Sequence, residues 1–179
     1  MQLGVGTAGG CEAAVHAARR FLQSMPSDKV LVKLDFSNAF NSLHRFDMLH
    51  SVSERLPELY AYCFSAYSQP SILFYGPYSI LSQEGPQQGD PMGPLLFCNT
   101  IHPLLKSIES ELNLGYLDDC TLGGEVETVA RDVTQIVEFG GKLGLRLNIS
   151  KCELISHAGF PVSDPLLKSF SSVSVENVS

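Results

Sequence analysis

Apolar positions along the chain fall into blocks of two periods. Between Cys11 and Gln23 they recur every three or four residues: Cys11, Val15, Ala18 and Leu22 share one face, with Arg19 and Arg20 opposite. That spacing predicts an amphipathic helix, closed by Pro26. Val30–Leu34 is a short β-branched and Leu run, which predicts a buried strand ending at Asp35. Phe46–Arg55 and Pro57–Tyr67 predict two helices, the second with Pro in its first turn. Ser71–Tyr75 and Tyr78–Leu81 flank Gly76-Pro77 and predict a hairpin. Glu84–Pro94 is a Gly, Pro and Gln loop, and Leu95–Ser110 predicts a helix bent at Pro103. Leu112–Leu117 and Cys120–Leu122 flank an Asp-Asp turn, a second hairpin. A helix over Val126–Leu143, ended by Gly144, leads to short strands at Arg146–Ile149 and Cys152–Ile155.

Strands separated by helices, with hairpins among them, predict an α+β fold: a sheet covered by helices on one face. At 179 residues the chain suits one domain or the larger part of one. With 44% hydrophobic and 17% charged residues it can bury a core and is not disordered. No run of about 18 apolar residues predicts a membrane span, and no secretory signal is visible. Cys11, Cys63, Cys98, Cys120 and Cys152 are widely spaced with no CxxC pair, which argues against a zinc site or a disulfide framework. Buried or semi-buried free thiols suit a reducing intracellular compartment, nucleus or cytoplasm. The net charge of −7, with only Arg19 and Arg20 adjacent among the basic residues, counts against an autonomous nucleic-acid binder. A site that gathers carboxylates for metal accounts for part of that acidity.

Two segments carry candidate chemistry. Asp35 ends an apolar strand, which would hold its carboxylate rigidly where the sheet opens to solvent. Asp118 and Asp119 are adjacent carboxylates in a tight turn, a costly arrangement unless positive charge lies near. Aspartate oxygens are hard ligands suited to Mg²⁺, and two such ions can clamp both oxygens of a phosphoryl transfer. Each segment alone is ordinary: Asp35 by itself reads first as a capping or turn residue, and Asp-Asp by itself as a solvated turn. His16, His44, His50, His102 and His157 are too dispersed to suggest a site, and no GxSxG turn occurs.

Four segments occur in order: Lys33 to Phe40; Glu84-Gly-Pro-Gln-Gln-Gly-Asp-Pro-Met-Gly-Pro-Leu-Leu-Phe97; Gly115-Tyr-Leu-Asp-Asp119; and Gly144-Leu-Arg-Leu-Asn-Ile-Ser-Lys151. Together they resemble the successive palm motifs of reverse transcriptases, most like those of non-LTR retrotransposons. The Gly-rich opening and Cys11-Glu-Ala-Ala-Val-His-Ala17 resemble the segment before that palm. The resemblance implies a palm-type antiparallel sheet with helices on one face, plus part of the fingers. It also implies RNA-directed DNA polymerase activity: two-metal nucleotidyl transfer from a dNTP to a primer 3′-OH, on an RNA or DNA template. Asp35 and Asp118 would bridge two Mg²⁺ ions, with Mn²⁺ able to substitute. Asp119 would complete the triad, and the Phe36 carbonyl would be a further ligand. Phe40 would lie under the incoming sugar and exclude a 2′-hydroxyl by clash. Gln88 and Gly89 would contact the nucleotide and the template side. Lys151 would neutralise or protonate the leaving pyrophosphate.

Set against that family, the sequence lacks the Arg-bearing finger motifs upstream and the primer-grip hairpin and thumb downstream. The resemblance therefore implies a truncated chain: a partial reverse transcriptase domain over 1–155 and a poorly ordered tail over 156–179, Ser/Val-rich from Ser169. Activity would need the missing regions. A second reading keeps the fold and drops catalysis, leaving an inactive relic or an interaction module. A third, an NAD-binding Rossmann oxidoreductase, fits Gly4-Val-Gly-Thr-Ala-Gly9 to GxGxxG but has only Met1–Leu3 as its first strand.

Overall fold

The computed structural model describes residues 2–178. Its seven helices are α1 (Gly10–Gln23), α2 (Ala39–Ser42), α3 (Arg45–Arg55), α4 (Pro57–Tyr67), α5 (Gly93–Lys106), α6 (Val126–Lys142) and α7 (Pro165–Lys168). The strands are β1 (Lys29–Leu34), β2 (Ser71–Tyr75), β3 (Tyr78–Ser82), β4 (Leu112–Tyr116), β5 (Asp119–Glu125), β6 (Glu153–Ser156) and β7 (Ser171–Ser174). Five strands form one sheet in the order β4-β5-β1-β6-β7, and β2-β3 is a separate hairpin. Pairing is antiparallel except between β6 and β7.

The sequence explains why β1 is central. Val30, Val32 and Leu34 alternate onto the face that receives the main helical layer, and all are buried with Leu96, Phe97, Leu122, Val133 and Ile136. Full burial of such a side chain contributes about 1.5–3 kcal/mol. Leu31 points to the opposite face, where Phe21 and Leu22 of α1 cover it together with Met25 and Ile155. Lys33, next on that face, is exposed. One end of the second face is thus capped by α1, and the end nearest Asp35 is open.

Buried Asp132 of α6 braces the approach to β4: its carboxylate accepts from the Ser110 N–H at 2.7 Å, from the Ser110 hydroxyl, and from the Glu109 N–H at 3.2 Å. Helix α5 begins two residues earlier than the apolar period indicates, because Asp90 accepts from the Met92 N–H at 2.8 Å and Pro94 suits a first turn. It runs through Pro103 and ends at Lys106.

Three expectations need correction. Residues 156–178 do not trail away: Leu167 and Phe170 are buried in the main core, and β7 pairs with β6 from Glu153↔Ser171 to Ser156↔Ser174. The Ser-rich composition hid two apolar anchors spaced one helical turn apart. Arg146–Ile149 is not a ladder strand; it makes one bridge, Phe36↔Leu147, and passes into a single 3₁₀ turn, Ile149–Lys151. Cys11 is exposed, whereas the other four cysteines are buried and free.

Candidate active site

Pairing register places the first two aspartates. Leu34 opposes Cys120 in the last pair of the β1–β5 ladder, and Asp35 and Asp119 are the residues just past its end. Their side chains share the face of Lys33, Thr121 and Glu153. Asp35, Asp119 and Lys151 line one groove of about 330 Å³ with Lys33 and Glu153, whose Nζ and carboxylate pair at 3.0 Å. The 3₁₀ turn brings Lys151 there.

Asp118 lies in the connection between β4 and β5. Tyr116 opposes Asp119, leaving Leu117 and Asp118 as a two-residue turn. Leu117 has φ 55 and Asp118 does not share the positive sign, so the first turn position is one that favours glycine. A left-handed Leu costs about 1–2 kcal/mol. Asp118, Asp119, Phe36 and Leu117 together line a narrow crevice over the core.

The backbone at Phe36 is also oriented. Its bridge to Leu147 uses the Asp35 carbonyl, accepting from the Asn148 N–H at 2.8 Å, and the Ser37 N–H, donating to the Arg146 carbonyl at 2.8 Å. In that pattern the Phe36 carbonyl faces away from Leu147, toward β5 and its turn.

Asp119 feels the negative charge of both other aspartates. Burial, then Asp118 and Asp35, raise the Asp119 pKa, and Lys33 partly opposes them. A divalent cation would relieve that repulsion. The donor set, carboxylates and a carbonyl, is chemically right for Mg²⁺. Its geometry is open: among the described residues no three His, Cys, Asp or Glu side chains are gathered closely enough to hold an ion. The thiols stay neutral: burial and then Asp118 push Cys98 up to about 11, and burial pushes Cys120 up to about 12.

Phe40 stacks on Phe97, centroids 4.5 Å apart and planes 10° from parallel, so one face of its ring belongs to the core. Gln88 and Gly89 are exposed. Gln88 lines a different groove, of about 530 Å³, with Asn41, Leu73, Leu81 and Glu84.

The loop carrying Gln88 is tied down by residues that periodicity does not single out. Arg45 is buried; its Nε donates to the Gly85 carbonyl at 3.0 Å, Nη1 to the Ser82 carbonyl at 2.9 Å and Nη2 to the Ser82 hydroxyl at 2.8 Å. Its guanidinium lies 5.2 Å from the Tyr67 ring centroid. The Tyr67 hydroxyl donates to Asp90 and accepts from the Gln87 N–H at 3.3 Å. Gly85 has φ 64, and a Cβ there would fall 1.7 Å from the Phe40 carbonyl oxygen. Loop and Phe40 segment are therefore in direct backbone contact. Nothing in the local sequence pattern marks this network, because its members come from α3, α4, β3 and the loop after it.

Among curated proteins none matches the chain. Solved structures do. Apo telomerase from Candida tropicalis superposes with a TM-score of 0.61 at 12% identity, over 83% of this chain and 32% of that one. Telomerase from the same organism in complex with the TWJ fragment of telomeric RNA gives 0.60 at 14% identity, over 84% and 30%. At such identities the likeness is one of fold, and the chain spans about a third of the length of those chains. The family profile described as reverse transcriptase (RNA-dependent DNA polymerase) matches residues 2–174, nearly the whole sequence. The chain belongs to the reverse transcriptase (RNA-dependent DNA polymerase) family.

Proposed function

We propose that the chain is the palm of a two-metal RNA-directed DNA polymerase of non-LTR retrotransposon type, working on an RNA or DNA template with primer and dNTP. The observation that carries this reading is the groove that Asp35 and Asp119 share at the end of the β1–β5 ladder, with Asp118 in the adjoining turn. Two Mg²⁺ ions, when bound, would supply stabilisation of the charge that develops in a phosphoryl transfer. Asp35, Asp118, Asp119 and the Phe36 carbonyl supply oxygen ligands for them. Phe40, fixed by Phe97, bars a 2′-hydroxyl with its remaining edge. Gln88 and Gly89 meet the nucleotide and template from the neighbouring loop. The Lys151 Nζ, in the groove of Asp35 and Asp119, neutralises or protonates the leaving pyrophosphate.

Mn²⁺ titration followed by the resonance of the free ion is the test. The unmutated chain binds weakly, since substrate phosphates normally complete the shell, and Asp118→Asn abolishes binding. Equal binding by that variant removes Asp118 from the site. A second reading, a folded module without catalysis, is favoured by the net charge of −7 and the open carboxylate arrangement; no Mn²⁺ binding at all supports it.

A further inference from the structure

A Leu in the left-handed region needs something to hold it, and at Leu117 that something is the side-chain amide of Gln2. The Leu117 N–H donates to Gln2 Oε1 at 2.9 Å, and Gln2 Nε2 donates to the Leu117 carbonyl at 3.0 Å. The same Oε1 accepts from the Gly4 N–H at 2.9 Å. The backbone runs alongside: Gln2 bridges Gly115 in parallel, and the Leu3 N–H donates to the Gly115 carbonyl at 2.6 Å. Two glycines permit so close an approach. A Cβ on Gly4 would lie 2.7 Å from the Leu117 nitrogen, and one on Gly115 2.8 Å from Leu105 Cδ1 and 3.3 Å from Gln2 Nε2.

This contact differs from ordinary edge pairing. One amide satisfies both backbone groups of a single residue, so it fixes the conformation of that residue as well as its place. The rotation about Leu117 sets the plane of the following peptide, and hence the direction in which the next two side chains leave the turn. Those side chains are Asp118 and Asp119. We infer that Gln2 is a positioning residue: its amide holds Leu117 left-handed and so aims Asp118 and Asp119 at a divalent cation. The inference rests on the metal-binding reading of the aspartates given above.

Its test uses the 179-residue chain, Mn²⁺, the Asp118→Asn variant above and four further variants. Gln2→Met keeps the length of the side chain and removes its amide. Leu117→Gly accepts a positive φ without strain, so it makes the clamp unnecessary; the double variant closes the cycle. Gly4→Ala pushes on the Leu117 nitrogen and leaves Gln2 in place. Gln2→Met is expected to weaken Mn²⁺ affinity about fivefold, the worth of one hydrogen bond, and to lower the melting temperature by a few degrees, since three part-buried hydrogen bonds go with the amide. In the Leu117→Gly background the same change should cost less than about twofold if coupling runs through that residue. Gly4→Ala should also weaken the ion, and hydrogen exchange at the Leu117 amide should quicken in Gln2→Met. An equal loss in both backgrounds overturns the inference. So does an undiminished affinity in Gln2→Met when Asp118→Asn has abolished binding. Failure of the metal reading is separate: it shows as no binding by the unmutated chain, or as binding that Asp118→Asn leaves intact. Exchange at the Leu117 amide then decides alone whether Gln2 holds the turn, and an unchanged rate in Gln2→Met overturns that.

Discussion

Replacing Arg45 by alanine should cost the fold about 3 kcal/mol, and the loss should register first in the loop that carries Gln88. Three of its hydrogen bonds are short, to the Gly85 carbonyl at 3.0 Å and to the carbonyl and hydroxyl of Ser82 at 2.9 and 2.8 Å. A fourth, to the Gln69 carbonyl at 3.4 Å, is too long to count for much. Removing the guanidinium leaves the two nearer carbonyls short of a donor, at about 1 kcal/mol each. Loss of the contact with the Tyr67 ring adds about 1 kcal/mol. Against this, burial lowers the Arg45 pKa, so the charge is itself a strain that the variant relieves. A domain with about 5–15 kcal/mol in hand stays folded. Urea denaturation should show a lower midpoint at an unchanged slope. Hydrogen exchange should quicken over residues 83–90 and stay slow in β5. Arg45→Lys, a point charge able to reach one acceptor at a time, should fall between. A loss within about 0.5 kcal/mol, the range of ordinary surface changes, would mean that water replaces the guanidinium and that the loop is held by something else.

In an active reverse transcriptase carrying this sequence, Phe40→Val should raise ribonucleotide incorporation relative to deoxynucleotide while leaving deoxynucleotide extension working; unchanged discrimination returns Phe40 to the core with Phe97. Gly85→Ala should cost more than about 3 kcal/mol, as a positive-φ glycine with backbone in the way, and a melting temperature near that of the parent would contradict the contact with Phe40. Tyr67 is pushed up to about 12 by burial and then by its hydrogen bond to Asp90. Because the folded state holds that proton more tightly, its share of stability is complete below the ordinary value of 10.0 and is lost as pH rises through about 12. Tyr67→Phe should therefore be about 1–2 kcal/mol less stable at neutral pH and should flatten the alkaline decline, as read by denaturation at pH 7, 10 and 11.5; a decline as steep as the parent's would assign it to other groups.

Local pattern was enough for the elements that carry the aspartates. The run Val30–Leu34 has one buried face and one buried residue on the other, so the buried strand was legible; the hairpin was legible too, but its turn falls one residue earlier than expected, at Leu117 and Asp118, with Asp119 already the first residue of β5. What stayed hidden depends on placement across the chain. Gln2 meets Leu117 only because the start of the chain lies along β4, and Arg45 reaches Ser82 and Gly85 only because the β2–β3 hairpin folds back past α3. The Arg146–Ile149 run alternates like a strand, yet it passes the sheet just beyond the end of β1, where one bridge is all the ladder can offer. The C-terminal segment was misread from its serines, although Leu167 and Phe170 supply the apolar anchors that bring β7 to the edge.

Buried Asp132 has a consequence for how this fold tolerates change in chain length. It grips Ser110 at the far end of β4 from the aspartates, so the strand is tethered at its start and must count its residues from there. Adding or removing one residue between Ser110 and Tyr116 would leave the tether where it is and shift every following pair against β5. The two-residue loop would become a loop of one or three, and alternate side chains would exchange faces. Deletions and insertions in this short stretch should therefore be far more damaging than substitutions at the same positions. The spacing from Ser110 to Asp118 acts as a fixed length, measured out from a helix that lies on the other side of the sheet from the open groove.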